Sequence, residues 1–205
     1  MNAKSIRILS VDFQKDFTAE NGIHYKFRPS VTFVKNTLIP YLSEKKIHVA
    51  EIISDYRQPR PGRKGDFCKP GTDGYESELP NSIKLFLPWI KAANSPLWTR
   101  ENAGNKDKKP GLPYEDPVLF TKWLDETIGE PDTTRVAIIG LTLDRCVLST
   151  AHELYMRGYE VLVLEEATDP YTGDQSEKET LLRGSIVNNW SHPILWEVLK
   201  RELSY

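Results

Sequence analysis

The chain has two thiols, Cys68 and Cys146, and one of them stands where a thiol becomes reactive. Ile139-Gly-Leu-Thr-Leu-Asp-Arg-Cys-Val-Leu-Ser-Thr-Ala151 reads as a buried strand that turns directly into a helix, with Cys146 in the helix's first turn. Unpaired N–H groups and the positive end of the helix dipole favour a thiolate there, and can lower a cysteine pKa from about 8.5 by one to several units. The same N–H groups, from Thr142 to Cys146, could form an oxyanion hole, and Leu141 and Thr142 on the turn would border a substrate. The plain alternative is a small buried hydrophobe, the commoner fate of a lone cysteine. Asp12 is the carboxylate best placed to take the thiol's proton, because it ends the short apolar run Ile6-Arg-Ile-Leu-Ser-Val11, and sites in α/β sheets form at the C-terminal ends of strands. A loop-closing carboxylate is the competing reading. The four histidines, His24, His48, His152 and His192, are dispersed and lack metal-ligand spacing. His152 lies six positions beyond Cys146 on the same helix and faces well away from it, so a Cys–His dyad is poor.

The elements that must position these residues alternate between strand and helix. Val31, Val34, Leu38 and Leu42 recur at helical spacing, and Val49–Ser54 is a second strand ending in an acid, Asp55. From Tyr56 to Pro80 the chain is polar and rich in Pro and Gly, a long loop of the kind that is usually functional or disordered. Pro88 interrupts the apolar segment from Ile83 to Ala93, which reads as a short or broken helix, and Pro96–Thr99 reads as the third strand. Asp116-Pro117 opens a helix that runs to Gly129. Arg135–Gly140 and Tyr159–Leu164 are strands flanking a helix from Asp144 to Arg157. Two further helices follow, one opening near Asp174 with Ser176 and Glu179 at capping-box spacing, the other built on Leu195, Trp196, Leu199 and Leu203. The implied architecture is a single domain over residues 1–205: a three-layer α/β/α fold on a mostly parallel, Rossmann-like sheet.

Bulk properties narrow the function. The 205 residues are 39% hydrophobic and 27% charged, which suits one soluble domain. Lys+Arg 27 against Asp+Glu 29 leaves a formal charge of −2, with no global field to draw nucleic acid or a membrane surface. With no leader-like or membrane-spanning apolar stretch and only two cysteines, a cytoplasmic protein is expected. No Gly-x-Gly-x-x-Gly turn follows the first strand, where Asp12-Phe-Gln-Lys stands, so dinucleotide chemistry is set aside.

Gly140-Leu-Thr-Leu-Asp-Arg-Cys-Val147, with Thr150-Ala151 and Gly158-Tyr-Glu-Val after it, resembles the nucleophile motif of the isochorismatase-like cysteine hydrolases, which include nicotinamidases and other amidases. Val11-Asp-Phe-Gln-Lys-Asp-Phe17, Cys68-Lys-Pro-Gly-Thr-Asp-Gly74 and Glu165-Glu-Ala-Thr168 resemble further family elements in the same order. The resemblance implies the isochorismatase-like hydrolase fold, self-association into homo-oligomers, and a triad of Asp, Lys and Cys, of which Asp12 and Cys146 match directly. For the lysine, Leu97-Trp-Thr-Arg100 places Arg100 at the third strand's end, with Lys106, Lys108 and Lys109 as alternatives. An arginine would stabilise a thiolate but not shuttle protons, and a surface ion pair is the plainer role for it. The family's zinc-binding members use an Asp and histidines on the loop after the second strand; here that loop reads Asp55-Tyr-Arg-Gln-Pro59, so no metal or other cofactor is expected. The loop carries instead Arg57, Arg60, Arg63 and Lys64. One or two of these arginines, Arg57 first, could clamp a substrate carboxylate or phosphate, or the loop is simply solvated. Phe17, with Phe13, Trp98 and Tyr75, could wall the pocket.

The expected function is hydrolysis of a C–N bond in a small molecule through a Cys146 acyl-enzyme, with Asp12 as base and then acid. Two alternatives stand beside it: an ether hydrolysis of the isochorismatase type, and a binding or scaffolding protein that lost turnover with its lysine.

Overall fold

The computed structural model describes residues 4–62, 64–85 and 87–203. Arg63, named above, lies outside them. In chain order the elements are β1 Ser5–Val11, α1 Lys15–Thr18, α2 Pro29–Phe33, α3 Ile39–Lys45, β2 Val49–Ser54, β3 Trp89–Lys91, β4 Trp98–Thr99, β5 Tyr114–Glu115, α4 Pro117–Thr127, β6 Thr134–Leu141, α5 Leu148–Met156, β7 Glu160–Asp169, α6 Gln175–Arg183, α7 Ser185–Asn188, β8 His192–Ile194 and α8 Trp196–Glu202. A π-helical turn, Val34–Leu38, joins α2 to α3, and another, Leu143–Val147, leads into α5.

Six strands form one sheet in the order β3-β2-β1-β6-β7-β8, and every pairing in it is parallel. The strand order reverses direction between β1 and β6, and a crevice opens at such a switch point, beyond the C-terminal strand ends. Alternate residues of each strand feed two cores. Leu9, Val11, Ile52, Val136 and Ile138 pack with Phe120, Leu124, Ala151 and Leu154 on one face. Ile8, Val49, Ala137 and Ile139 pack with Val34, Leu38, Leu42, Trp196 and Leu199 on the other. This is the three-layer α/β/α arrangement that the strand-helix alternation implies.

The helix starts follow their capping chemistry. Asp116 accepts from the Leu119 N–H, with proline at the first turn of α4. Asp174, rather than a capping box on Ser176, caps α6 by accepting from the N–H groups of Ser176 and Glu177.

Two expectations about the middle of the chain are overturned. The sheet's third strand is Trp89–Lys91, not Pro96–Thr99, and it pairs Ile52–Ser54 with Trp89–Lys91. Pro88 stops a helix, and the three residues after it extend along the exposed edge of β2. Trp98–Thr99 instead pairs antiparallel with Tyr114–Glu115 in a separate two-stranded ribbon. A short edge strand, β8, also precedes α8 where only helix was expected.

Candidate active site

Four neighbouring strands end at one place. Val11 of β1 lies beside Gly140 of β6, so Asp12 and the Leu141–Thr142 turn emerge side by side. Such close contact requires a glycine: Gly140 has φ +110°, and a Cβ there would stand 2.0 Å from the Val11 carbonyl oxygen. Asp12 itself adopts φ +49°, an uncommon conformation for a non-glycine residue and one that clusters at functional sites. Ser54 ends β2 opposite Lys91 of β3, and Gln14 fixes Ser54 by donating to its carbonyl at 3.0 Å and accepting from its N–H at 2.7 Å.

Lys91 is the centre of this arrangement. Its three N–H groups are shared among Asp12 Oδ2 at 2.7 Å, Ser54 Oγ at 2.8 Å, Tyr56 Oη at 2.7 Å and the Ala93 carbonyl at 3.1 Å. It also lies 3.3 Å from Cys146 Sγ. The side chains of Lys91 and Asp12 are wholly buried, and Ser54 Oγ donates to the second Asp12 oxygen at 2.8 Å. Tyr56 Oη is 3.5 Å from Cys146 Sγ, and Asn94 Oδ1 is 3.7 Å from it. Burial, the largest single influence, disfavours the ammonium, but the charges of Asp12, Cys146 and Tyr56 together with the Asp12 hydrogen bond outweigh it and hold Lys91 well above its ordinary range. For Cys146, burial pushes the thiol up to about 11; Lys91 pulls it down, and the charge and hydrogen bond of Asp12 push it up again. Burial thus favours a protonated thiol at Cys146, against the helix-stabilised thiolate that position on the chain suggests.

Arg100 does not occupy the place beside Cys146. Its guanidinium donates to the carbonyls of Arg57 at 2.7 Å and Pro59 at 2.8 Å, tying two loops together. Lys106, Lys108 and Lys109 are exposed on their loop. The cause is the displaced third strand: counting from Trp98–Thr99 leads to Arg100, counting from the true strand leads to Lys91. Pro88-Trp-Ile-Lys91 does end an apolar run in charge, as at Asp12 and Asp55, but its three-residue strand is too short for that pattern to stand apart from a broken helix.

Arg57 is likewise committed elsewhere. Nε and Nη2 grip Asp55 at 2.9 and 2.6 Å, Nη1 donates to the carbonyls of Asn105 and Lys108, and Nη2 also to that of Asn102. All five N–H groups of the guanidinium are thereby used, so Arg57 has none to offer a substrate. Asp55 is equally engaged, with Arg57 on both oxygens and the Gly104 N–H on one. The donor set does not fit zinc: the carboxylate at this place is saturated by a guanidinium, no histidine accompanies it, and among the described residues no three His, Cys, Asp or Glu side chains could hold a metal ion.

Cys146 opens into a cavity of about 320 Å³ lined also by Phe17, Thr142, Tyr56, Phe67, Asn94, His24, Tyr171, Arg60, Lys64 and Arg145. Phe17 and Thr142 are on its wall, while Leu141 packs behind it with Phe17, Tyr56 and Cys68. Phe13 is core, Tyr75 packs at the edge of the Cys68 cluster, and Trp98 borders an adjoining cavity that shares Tyr56, Arg60 and Asn94. Cys68 is fully buried, with its N–H on Asp16, and burial pushes its thiol up. His24, Phe67 and Tyr171 carry no motif and reach the wall only through the fold. His152 packs on Trp190.

A family model described as the isochorismatase domain matches residues 118–184, the segment from α4 through the Cys146 turn to α6. No curated protein sequence matches the chain. Among solved structures, the pyrazinamidase of Pyrococcus horikoshii in complex with zinc aligns at 18% identity over 94% of this chain and 99% of its own, with a TM-score of 0.63. An isochorismatase-like hydrolase from Alkaliphilus metalliredigens aligns at 17% identity over 96% and 98%, TM-score 0.65. N-carbamoylsarcosine amidase from Thermoplasma acidophilum aligns at 19% identity over 92% and 95%, TM-score 0.54. The matched segment, residues 118–184, is thus similar to an isochorismatase domain, and the fold of the whole chain is the one these isochorismatase-like hydrolases and amidases share.

Proposed function

We propose that the protein is a metal-independent cysteine hydrolase that cleaves the C–N bond of a small amide, with Cys146 as nucleophile, Asp12 as proton carrier and Lys91 as the fixed cation between them. The observation that carries this reading is the contact of one buried ammonium with both Asp12, at 2.7 Å, and Cys146, at 3.3 Å, at the foot of a cavity. A buried ion pair is weak evidence for stability, because desolvation offsets its Coulombic gain; buried titratable groups converging on a cleft point to catalysis instead.

The steps follow from the protonation states. Cys146 Sγ attacks the amide carbon as its proton passes to Asp12. The carbonyl oxygen gains negative charge near the start of the Leu143–Val147 turn, where the helix field favours an anion. Asp12 then gives its proton to the leaving nitrogen, the C–N bond breaks, and an acyl-thioester remains on Cys146. Water, deprotonated by Asp12, attacks the thioester and releases a carboxylic acid and the thiol. Lys91 keeps its proton throughout and stays bonded to Asp12 as the thiol proton passes across. The amidases among the similar structures agree with an amide substrate. The binding-protein alternative rested on a missing lysine, and Lys91 removes that ground.

The test is ammonia release from a panel of small primary amides by the wild type, Cys146→Ala and Lys91→Met, each checked for folding by circular dichroism. Release by the wild type, lowered about a thousandfold or more in both variants, is expected. Release that survives Cys146→Ala sinks the proposal.

A further inference from the structure

The cavity over Cys146 has a one-sided charge. Among its described lining residues Arg60, Lys64 and Arg145 are cationic and none is Asp or Glu. The two guanidiniums are seated on rings: Arg60 lies 4.3 Å from the Tyr56 ring centre and 4.7 Å from that of Phe67, and Arg145 lies 4.1 Å from that of Tyr171. Aromatic faces attract cations and fix them in place. Asp144, beside Arg145, accepts from the Tyr171 N–H at 2.8 Å with one oxygen and from Arg145 Nε at 3.3 Å with the other. It is not on the cavity wall. Beneath Cys146 the Lys91–Asp12 pair is neutral as a unit. His24, on the same wall, reports the resulting field: burial lowers its proton affinity most, and Arg60, Arg145 and Arg28 lower it further against the opposing charge of Asp16. It stays a neutral ring, 3.1 Å from Tyr171 Oη.

We propose that the amide accepted at Cys146 also bears a carboxylate, held by Arg60, Lys64 and Arg145, so that the substrates are anionic amides and not neutral carboxamides. The assignment rests on the hydrolase reading above and adds the substrate class to it. A cleft of one charge sign with low-dielectric walls concentrates the opposite charge, and guanidinium groups match the two oxygens of a carboxylate. The role first expected for Arg57 therefore passes to Arg60 and to Arg145, the residue preceding the nucleophile. The rings around them offer flat apolar walls to the rest of the molecule.

The experiment compares the rates at which iodoacetate and iodoacetamide alkylate Cys146 in the full chain, read by peptide mass spectrometry and normalised to the same two rates with glutathione. The ratio of the two rates does not depend on how much thiolate is present, so it isolates the pocket's preference for charge. The normalised ratio is expected to favour iodoacetate about tenfold, to fall toward one with added salt, and to drop in Arg60→Gln, Lys64→Gln and Arg145→Gln. The salt series needs no variant, so a variant that fails to fold does not end the test. Benzoate is expected to protect Cys146 from iodoacetamide where benzamide does not. A ratio near one with rapid labelling by both reagents overturns the anionic substrate and leaves the hydrolase reading intact. Stronger protection by inorganic phosphate than by benzoate overturns the choice of carboxylate. If neither reagent labels Cys146 faster than buried Cys68, the nucleophile and the inference fall together.

Discussion

Lys91 and Asp12 act on the Cys146 thiol in opposite directions. The ammonium 3.3 Å away lowers its pKa, and the Asp12 charge and hydrogen bond raise it, on top of burial. Removing either partner should therefore move thiol reactivity in opposite directions while abolishing turnover in both. In Asp12→Asn the pH midpoint of iodoacetamide labelling is expected to fall below that of the wild type, and in Lys91→Met to rise above it. The same direction in both variants would contradict the assignment. Arg100→Gln, which loses only the bonds to the Arg57 and Pro59 carbonyls, leaves the midpoint where it was. Asp12 and Cys146 are legible in the sequence because each ends or follows a long, unbroken buried strand. Lys91 is not, because its strand has three residues and follows a proline, so neither period nor length distinguishes it from a broken helix.

At the scale of elements, the long polar segments are held by single guanidiniums. Arg57 ties Asp55, at the end of β2, to the carbonyls of Asn102, Asn105 and Lys108. Arg57→Ala leaves the fully buried Asp55 unpaired, and truncating one partner of a buried ion pair costs about 3–5 kcal/mol. The expected outcome is a loss of that order in urea unfolding, with faster amide exchange across residues 102–108. An unchanged midpoint and unchanged exchange would show that the pair holds nothing. The β1-α-β2 and β6-α5-β7 units could be read from hydrophobic periodicity, whereas the two-residue strands β4 and β5 carry no periodic signal and form only when the loops between them close. Arg57 illustrates the limit. Its residue type suits an anion clamp, but only the fold reveals that all five donors are taken.

The whole molecule places its switch point where four chemistry-bearing strand ends meet, and it buries there groups that resist losing protons. Burial first of all raises Cys146 from 9.0 to about 11, raises Tyr159 from 10.0 to about 12, and raises Cys68 and Tyr56 well above their ordinary values. Lys91 is raised too, against its own burial, by the combined charges of Asp12, Cys146 and Tyr56 and the Asp12 hydrogen bond. The unfolded chain loses these protons from about pH 9 upward while the native protein keeps them, so the unfolded state binds fewer protons and stability falls as pH rises. Each buried thiol contributes a slope approaching 1.4 kcal/mol per pH unit between its unfolded and folded pKa. Thermal melts at about pH 8 and pH 10.5 should show a marked fall at the higher value, steeper in the wild type than in Cys146→Ser. A flat profile would mean that these groups ionise freely in the native state. Beyond these effects, no described helix is long and apolar enough to cross a membrane.

The most direct test of the account is to quench the wild-type protein during turnover of a carboxylate-bearing amide such as succinamate and to weigh the Cys146 peptide. The account predicts an added acyl group on Cys146, equal to the substrate less ammonia, that disappears on hydrolysis and is absent from Cys146→Ala. Ammonia released at full rate with Cys146 unmodified at every quench time, and undiminished by Cys146→Ala, would contradict it.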